Sequence, residues 1–167
     1  MKKYLYILTL CVLSLASCKK DEDPGGTAVQ TMANEWFVQV QTVNASTGAV
    51  IKAFNTYSPV STYNTSDNSS VLMWLNMTAT EKNVIGFAAK VNVDLGTKSF
   101  NLASGNDIRN SRKITVKNGK VIVDGAVGPV SKAVTDAISF EVTVDSDPSV
   151  IYQVKGYGRT RFTEDDH

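Results

Sequence analysis

Histidine is almost absent from this 167-residue sequence, and the only one, His167, is its last residue. A Ser-His-acid triad needs an imidazole held in place by its neighbours, whereas His167 follows Glu164, Asp165 and Asp166 in a tail expected to fray. No Gly-x-Ser-x-Gly elbow occurs. Cysteine is equally scarce: Cys11 and Cys18 are the only two, so nothing beyond residue 18 can form a disulfide or supply a thiolate to zinc. Four prolines and eleven glycines are too few for a low-complexity chain. Seventeen basic residues against sixteen acids leave no excess of positive charge with which to bind nucleic acid. No apolar run reaches the ~20 residues of a membrane-spanning helix, and no segment keeps a helical period. No cofactor is expected.

The residues present begin with a segment of distinct character. Lys2 and Lys3 precede a nearly all-apolar stretch from Tyr4 to Leu15, followed by the small Ala16 and Ser17. This has the layout of a secretory signal. Leu15-Ala16-Ser17-Cys18 resembles the lipobox of bacterial lipoproteins. That resemblance implies cleavage before Cys18 and acylation of its thiol, with an ordinary signal cut near Ala16 as the alternative. Acyl chains contribute roughly 0.8 kcal/mol per buried CH₂, so the membrane is the expected partner and no spanning helix is needed. Loss of Lys2 and Lys3 turns the formal charge from +1 to −1. After Cys18 come Lys19, Lys20, Asp21, Glu22 and Asp23, then Pro24-Gly25-Gly26, the composition of a solvated tether. Lys20, Asp21 and Glu22 just after the cysteine also resemble the export signal of Bacteroidetes surface lipoproteins, which implies an outer-membrane protein displayed at the cell surface. The organisation expected is a signal over 1–17, an acylated cysteine and tether over 18–33, one domain over 34–163 and a tail over 164–167.

The domain reads as strand, turn, strand. Glu35 to Val43 alternates, with Trp36, Val38 and Val40 on one face and Gln39 and Gln41 on the other. Further strands are expected over Ala49–Tyr57, Val71–Thr78, Val84–Asp94 and Lys98–Leu102, with Ser58 to Ser70 a polar loop. Asn118-Gly119 signals a type I′ hairpin turn, which would pair Lys117 with Lys120, Ile114 with Val123 and Lys113 with Asp124. A last hairpin joins Ala137–Asp145 to Val150–Arg159 through Ser146-Asp147-Pro148-Ser149, with Glu141 near Lys155. Pro129 to Ala137 has room for a turn or two of helix. Eight or nine consecutive strands with short links predict an all-β fold: an antiparallel up-and-down β-barrel of about eight strands, with a two-sheet β-sandwich as the alternative.

The lipoprotein signal, the early strand Glu35-Trp36-Phe37-Val38, the Ile114 to Gly125 segment and the closing Ile151-Tyr152-Gln153-Val154-Lys155-Gly156 are similar to the Bacteroidetes lipid-binding putative hydrolase family, over most of Asn34 to Phe162. The resemblance implies a lipocalin-like barrel with a lipid or other small apolar ligand as a second partner. It assigns no catalytic residue. An eight-stranded barrel has room inside for one small ligand, and alternation places Trp36, Met73, Phe87, Ala89, Phe140 and Tyr152 as the candidate pocket, with plain core packing as the other reading of each. Extending the inward face from Tyr152 by twos reaches Gly156 and Gly158 and leaves Arg159 and Arg161 outside, unless a bulge reverses them. Two further functions stay open: a surface module binding a glycan or a protein through Tyr57 and Tyr63, and a hydrolase.

Cys18→Ala should abolish acylation and membrane retention and leave the domain folded, because the first strand begins well beyond the tether. Fractionation of membranes checks this. Alanines at Lys20, Asp21, Glu22 and Asp23 should keep the lipid but hold the protein on the periplasmic side, so that protease added to intact cells digests only the unaltered protein.

Overall fold

The structure, a computed structural model, describes residues 25–82 and 84–167. Cys18, Lys20, Asp21 and Glu22 lie outside those residues. Eight strands follow one another: β1 (Asn34–Asn44), β2 (Val50–Asn64), β3 (Leu72–Met77), β4 (Phe87–Asp94), β5 (Ser99–Asp107), β6 (Arg112–Val127), β7 (Val134–Val144) and β8 (Asp147–Gly158). Each pairs antiparallel with the next, and β8 pairs back onto β1 from Trp36↔Gly158 to Asn44↔Val150. The all-β antiparallel architecture is therefore one sheet closed on itself. A two-sheet sandwich is not what forms.

Alternation puts the apolar side chains inside. Trp36, Val38 and Val40 of β1, Met73, Leu75 and Met77 of β3, Phe87, Ala89 and Val91 of β4, and Ile138, Phe140, Val142 and Val144 of β7 join one buried cluster. Burying each large side chain stabilises by roughly 1.5–3 kcal/mol. Both ends are stopped by chain outside the strands. At one rim Val29 and Met32, beside a short 3-10 turn at Gln30–Met32, enter the cluster; at the other, Val84 and Ile85 of the β3–β4 link do so. The Trp36 indole donates to Thr62 Oγ1 at 2.9 Å and Thr62 donates to the Met32 carbonyl at 2.6 Å, so the polar edge of the ring is satisfied inside the barrel.

The upper rim is tied by Asp107, a fully buried carboxylate. It accepts from the Ala88 and Arg109 amides, from Asn110 Nδ2 at 2.7 Å and from Arg112 Nε at 3.0 Å. Arg112 and Asn110 also donate to the Gly86 carbonyl. Burial alone would raise the carboxyl pKa, but these donors outweigh it and hold the pKa below its ordinary value.

Several elements differ from expectation. Asn118-Gly119 is no hairpin turn: it lies within β6, a single strand with a bulge. Lys117 faces Glu141 and Lys120 faces Ser139, so β6 carries one residue more than β7 there. Asn118 takes the left-handed conformation with φ 54°, the same local preference that a type I′ turn uses. Gly119 is required for a different reason: a Cβ there would come within 2.3 Å of both the Phe100 ring and its carbonyl oxygen. Hence β6 continues and Lys113 faces Asn106, not Asp124. Glu141 faces Gln153 and accepts from it and from Asn118, while Lys155 faces Ser139. Of the expected polar loop over Ser58–Ser70, residues 58–64 are the second half of β2 and only the remainder links β2 to β3. Pro59 is tolerated because it lies just past the end of the β3 ladder at Val60↔Met77: its carbonyl still accepts from the Thr78 amide at 3.0 Å, and the ladder asks for no N–H at residue 59. β4 starts later than expected and β5 runs on to Asp107. Residues 128–133 form turns before β7, not a helix.

Gly119→Ala should destabilise the protein by about 1–3 kcal/mol, the usual cost of overpacking, since the obstructing atoms include backbone. Asn118→Gly, which suits the left-handed backbone but gives up the bond to Glu141, should change stability by less than about 1 kcal/mol. Denaturant unfolding of the two variants measures both.

Candidate functional site

The interior gathers the residues expected to line a pocket. Trp36, Met73, Phe87, Ala89 and Phe140 are all buried in the central cluster, and the half-buried Tyr152 packs against it. Phe87 meets Phe140 edge-on at 6.4 Å, and Phe100 tilts against Phe140 at 5.8 Å. Sequence alternation missed Met32, Val29 and Phe100, the first two because they precede the first strand. The surroundings of these side chains are mostly hydrocarbon, thioether and aromatic ring, with the Thr62 hydroxyl on the Trp36 indole as a polar exception. Such an interior favours an apolar guest and penalises an ionised one, since a buried charge without partners is costly.

The clefts that open to solvent are elsewhere. One of about 740 Å³ lies where the C-terminal segment passes β1 and β2, lined among others by Glu35, Ser61, Tyr63, Arg159, Arg161 and Asp166. A smaller one of about 220 Å³ sits on the outer wall between Gln39, Phe54 and Lys155. Neither is lined by Met73, Phe87, Ala89 or Tyr152.

Arg159 and Arg161 are outside the barrel, as the alternation from Tyr152 requires. Arg159 donates to Glu35 at 2.9 Å and to both oxygens of Asp166, at 2.8 and 2.7 Å. The hydrogen bonds with Asp166, then Glu35, raise its already high pKa further, and Arg159 in turn lowers that of Asp166. These contacts belong to a docked C-terminal segment, not a frayed one. The segment turns through a 3-10 helix at Thr163–Asp165 and returns along the wall. His167 stacks on Tyr57 with ring centroids 4.1 Å apart and meets Phe37 edge-on at 5.6 Å.

Asp165 is the centre of this docking. Its carboxylate accepts from the Val130 amide at 2.9 Å, the Ser131 amide at 3.0 Å, the Ser131 hydroxyl and the Thr160 hydroxyl. Tyr157 Oη donates to its carbonyl at 2.8 Å. Burial opposes ionisation of Asp165, but the Ser131, Thr160 and Val130 donors win and hold its carboxyl well below the usual carboxylate range. Burial, followed by the neighbouring Tyr57, Asp165 and Asp166, pushes the Tyr157 phenol up to about 12. Nothing in the spacing of Ser131 and Asp165 marks them as partners, because they meet only once the sheet has closed.

Chemically, the polar groups form struts. The imidazole of His167 faces the rings of Tyr57, Phe37 and Tyr157, while the Ser131 hydroxyl is given to Asp165. Among the described residues no group of three or more His, Cys, Asp or Glu side chains is placed to share a metal ion. On the outer wall, Tyr63 and Trp74 are cross-strand partners with their rings nearly parallel and 6.3 Å apart, and Lys90 Nζ lies 5.3 Å from the indole.

The family described as lipid-binding putative hydrolase matches residues 21–163, and the chain belongs to it. No curated protein matches. Among solved structures, a crystal structure at 2.40 Å of a Bacteroides ovatus protein of unknown function is similar, with a TM-score of 0.46 and 14% identity; the match covers 77% of this chain and 42% of that one.

Asp165 and Asp107 both have pKa values held down in the folded state, so each contributes stability that is present above the ordinary carboxylate pKa near 4 and lost as pH falls below it. Asp165→Asn should therefore lower the melting temperature at pH 7 and flatten its decline between about pH 5 and 2. Thermal unfolding followed over that pH series provides the check.

Proposed function

We propose that the protein is a membrane-anchored bacterial lipoprotein, acylated at Cys18 and displayed on the outer membrane, whose barrel takes up a lipid or another small apolar molecule. The observation that carries the binding half is the closed, predominantly apolar interior in a chain of the lipid-binding family. Three fully buried methionines, Met32, Met73 and Met77, add a physical reason. Thioether side chains are unbranched and adaptable, so they can repack around a guest where branched residues would resist. Met32 also belongs to the chain that stops one rim, so its movement would open the way in. The anchoring half rests on the lipobox-like Leu15-Ala16-Ser17-Cys18.

A second reading draws on the outer wall. Exposed Tyr63, parallel to Trp74 with Lys90 beside it, is an arrangement on which a sugar ring could stack. Tyr57 is less suited to that role, because His167 already covers it.

Native mass spectrometry of protein purified from its own cells should show a co-purified lipid, and its absence alongside glycan binding abolished by Trp74→Ala would favour the outer wall. Ala89→Phe should weaken binding of an environment-sensitive fatty-acid probe, with a stability change smaller than the roughly 1–3 kcal/mol of overpacking. A larger stability loss, with no probe bound by either protein, would mean a solid core.

A further inference from the structure

The rim from which the tether departs carries five exposed large apolar side chains. Val127 and Val134 are a cross-strand pair at the ends of β6 and β7, Val130 lies in the link between them, and Phe162 lies four residues beyond the end of β8. Their exposures are 54%, 64%, 61% and 50%. Val71, at the foot of β3, is exposed on the same rim. Four of these five side chains are not on a loose loop. The Asp165 carboxylate bonds the backbone of Val130 and Ser131 on one side and the Thr160 hydroxyl on the other, and the Asp165 amide donates to the Phe162 carbonyl. One buried anion thus fixes a knuckle that presents Val130 and Phe162 to solvent. Lys132 and Arg161 are exposed beside it, as is the acidic Glu164.

We propose that this rim rests on the membrane that holds the acyl chains, with Val127, Val130, Val134 and Phe162 at the headgroup boundary. The inference rests on acylation at Cys18, and the reach of the tether then selects the face. Seven peptide steps separate Cys18 from Gly25, which fully extended span at most about 25 Å. Gly25 leads directly into Val29 and Met32, which stop this rim. The opposite rim also exposes Val50, Ile51 and Ile108. It lies on the order of 25 Å further along the tilted strands, so it meets the membrane only if the whole tether is stretched back along the wall. Exposed valines and a phenylalanine flanked by cations are the composition of a surface that seats in an interface without spanning it.

The full acylated protein, bound to phosphatidylcholine vesicles with brominated acyl chains, provides the test. Val130→Trp and Phe162→Trp each place an indole on the rim, and Ile108→Trp places one at the opposite end against the same background of Trp36 and Trp74. Bromine quenching of the added indole should be at least about threefold stronger at 130 and 162 than at 108. Val130→Asp with Val134→Asp should reduce the quenching at Phe162→Trp without releasing the protein. Equal quenching at all three positions in vesicle-bound protein would overturn the docking and leave the anchor standing. Failure of the acylated protein to float with the vesicles would overturn the anchor and the docking together.

Discussion

The contact between β8 and β1 is the constraint on which the rest depends. Without it the same eight strands would form an open sheet with two bare edges, each a template for aggregation. The closure is close-fitting: a Cβ at Gly156 would lie 2.1 Å from the Phe37 carbonyl and 2.6 Å from Val38 Cα. A side chain there would push β8 off β1 at the level of Val38 and Ile138, its partners on the two sides. Closure also gives the C-terminal segment its footing, since Tyr157 of β8 and Phe37 of β1 come within 6.0 Å only when the two strands pair. Interior, rim and docked tail are consequences of one ladder.

Fold class was legible because period-2 alternation survives in β1, β3, β4 and β7, where one face is buried throughout. Alternation fails where two physical effects intrude. In β6 the left-handed Asn118 serves a bulge as well as it serves a hairpin, and only the proximity of Phe100, a contact across the sheet, decides between them. In β2 the polar run after Tyr57 looks like a loop because Ser58 and Thr62 are buried through hydrogen bonds and not through apolarity. The inward face of the barrel was readable residue by residue from alternation. Its stoppers were not, because Val29, Met32, Val84 and Ile85 sit outside any strand and show no period. The docking of the tail was invisible for a related reason: Asp165 finds Ser131 across a separation of 34 residues.

Burial and charge are divided between the two faces of the wall. Inside, binding energy is available only from dispersion and the removal of apolar surface from water, which discriminates by size and shape more than by functional group. A guest would share the interior with side chains from every strand of the barrel, so the flexible methionines matter more than the aromatic rings in deciding what enters. The aromatic residues, fixed by their mutual contacts, set the outline that any guest must match.

The ionisable groups follow the opposite logic. A general acid acting near neutral pH needs a carboxyl whose pKa is raised, by burial that its neighbours leave uncompensated. Asp107 and Asp165 are buried, yet each is surrounded by enough donors to drive its pKa down instead. Each therefore remains an anion whose hydrogen bonds are spent at its rim, those of Asp107 on two backbone amides, Asn110 and Arg112, and those of Asp165 on two backbone amides and two hydroxyls. The same saturation that disqualifies them as proton donors makes them effective ties: Asp107 joins the β3–β4 and β5–β6 links above, and Asp165 joins the β6–β7 link to the C-terminal segment below. A barrel closed by one ladder needs such rigid ends, because a ladder that loosened at either rim would expose the free strand edges that closure removes.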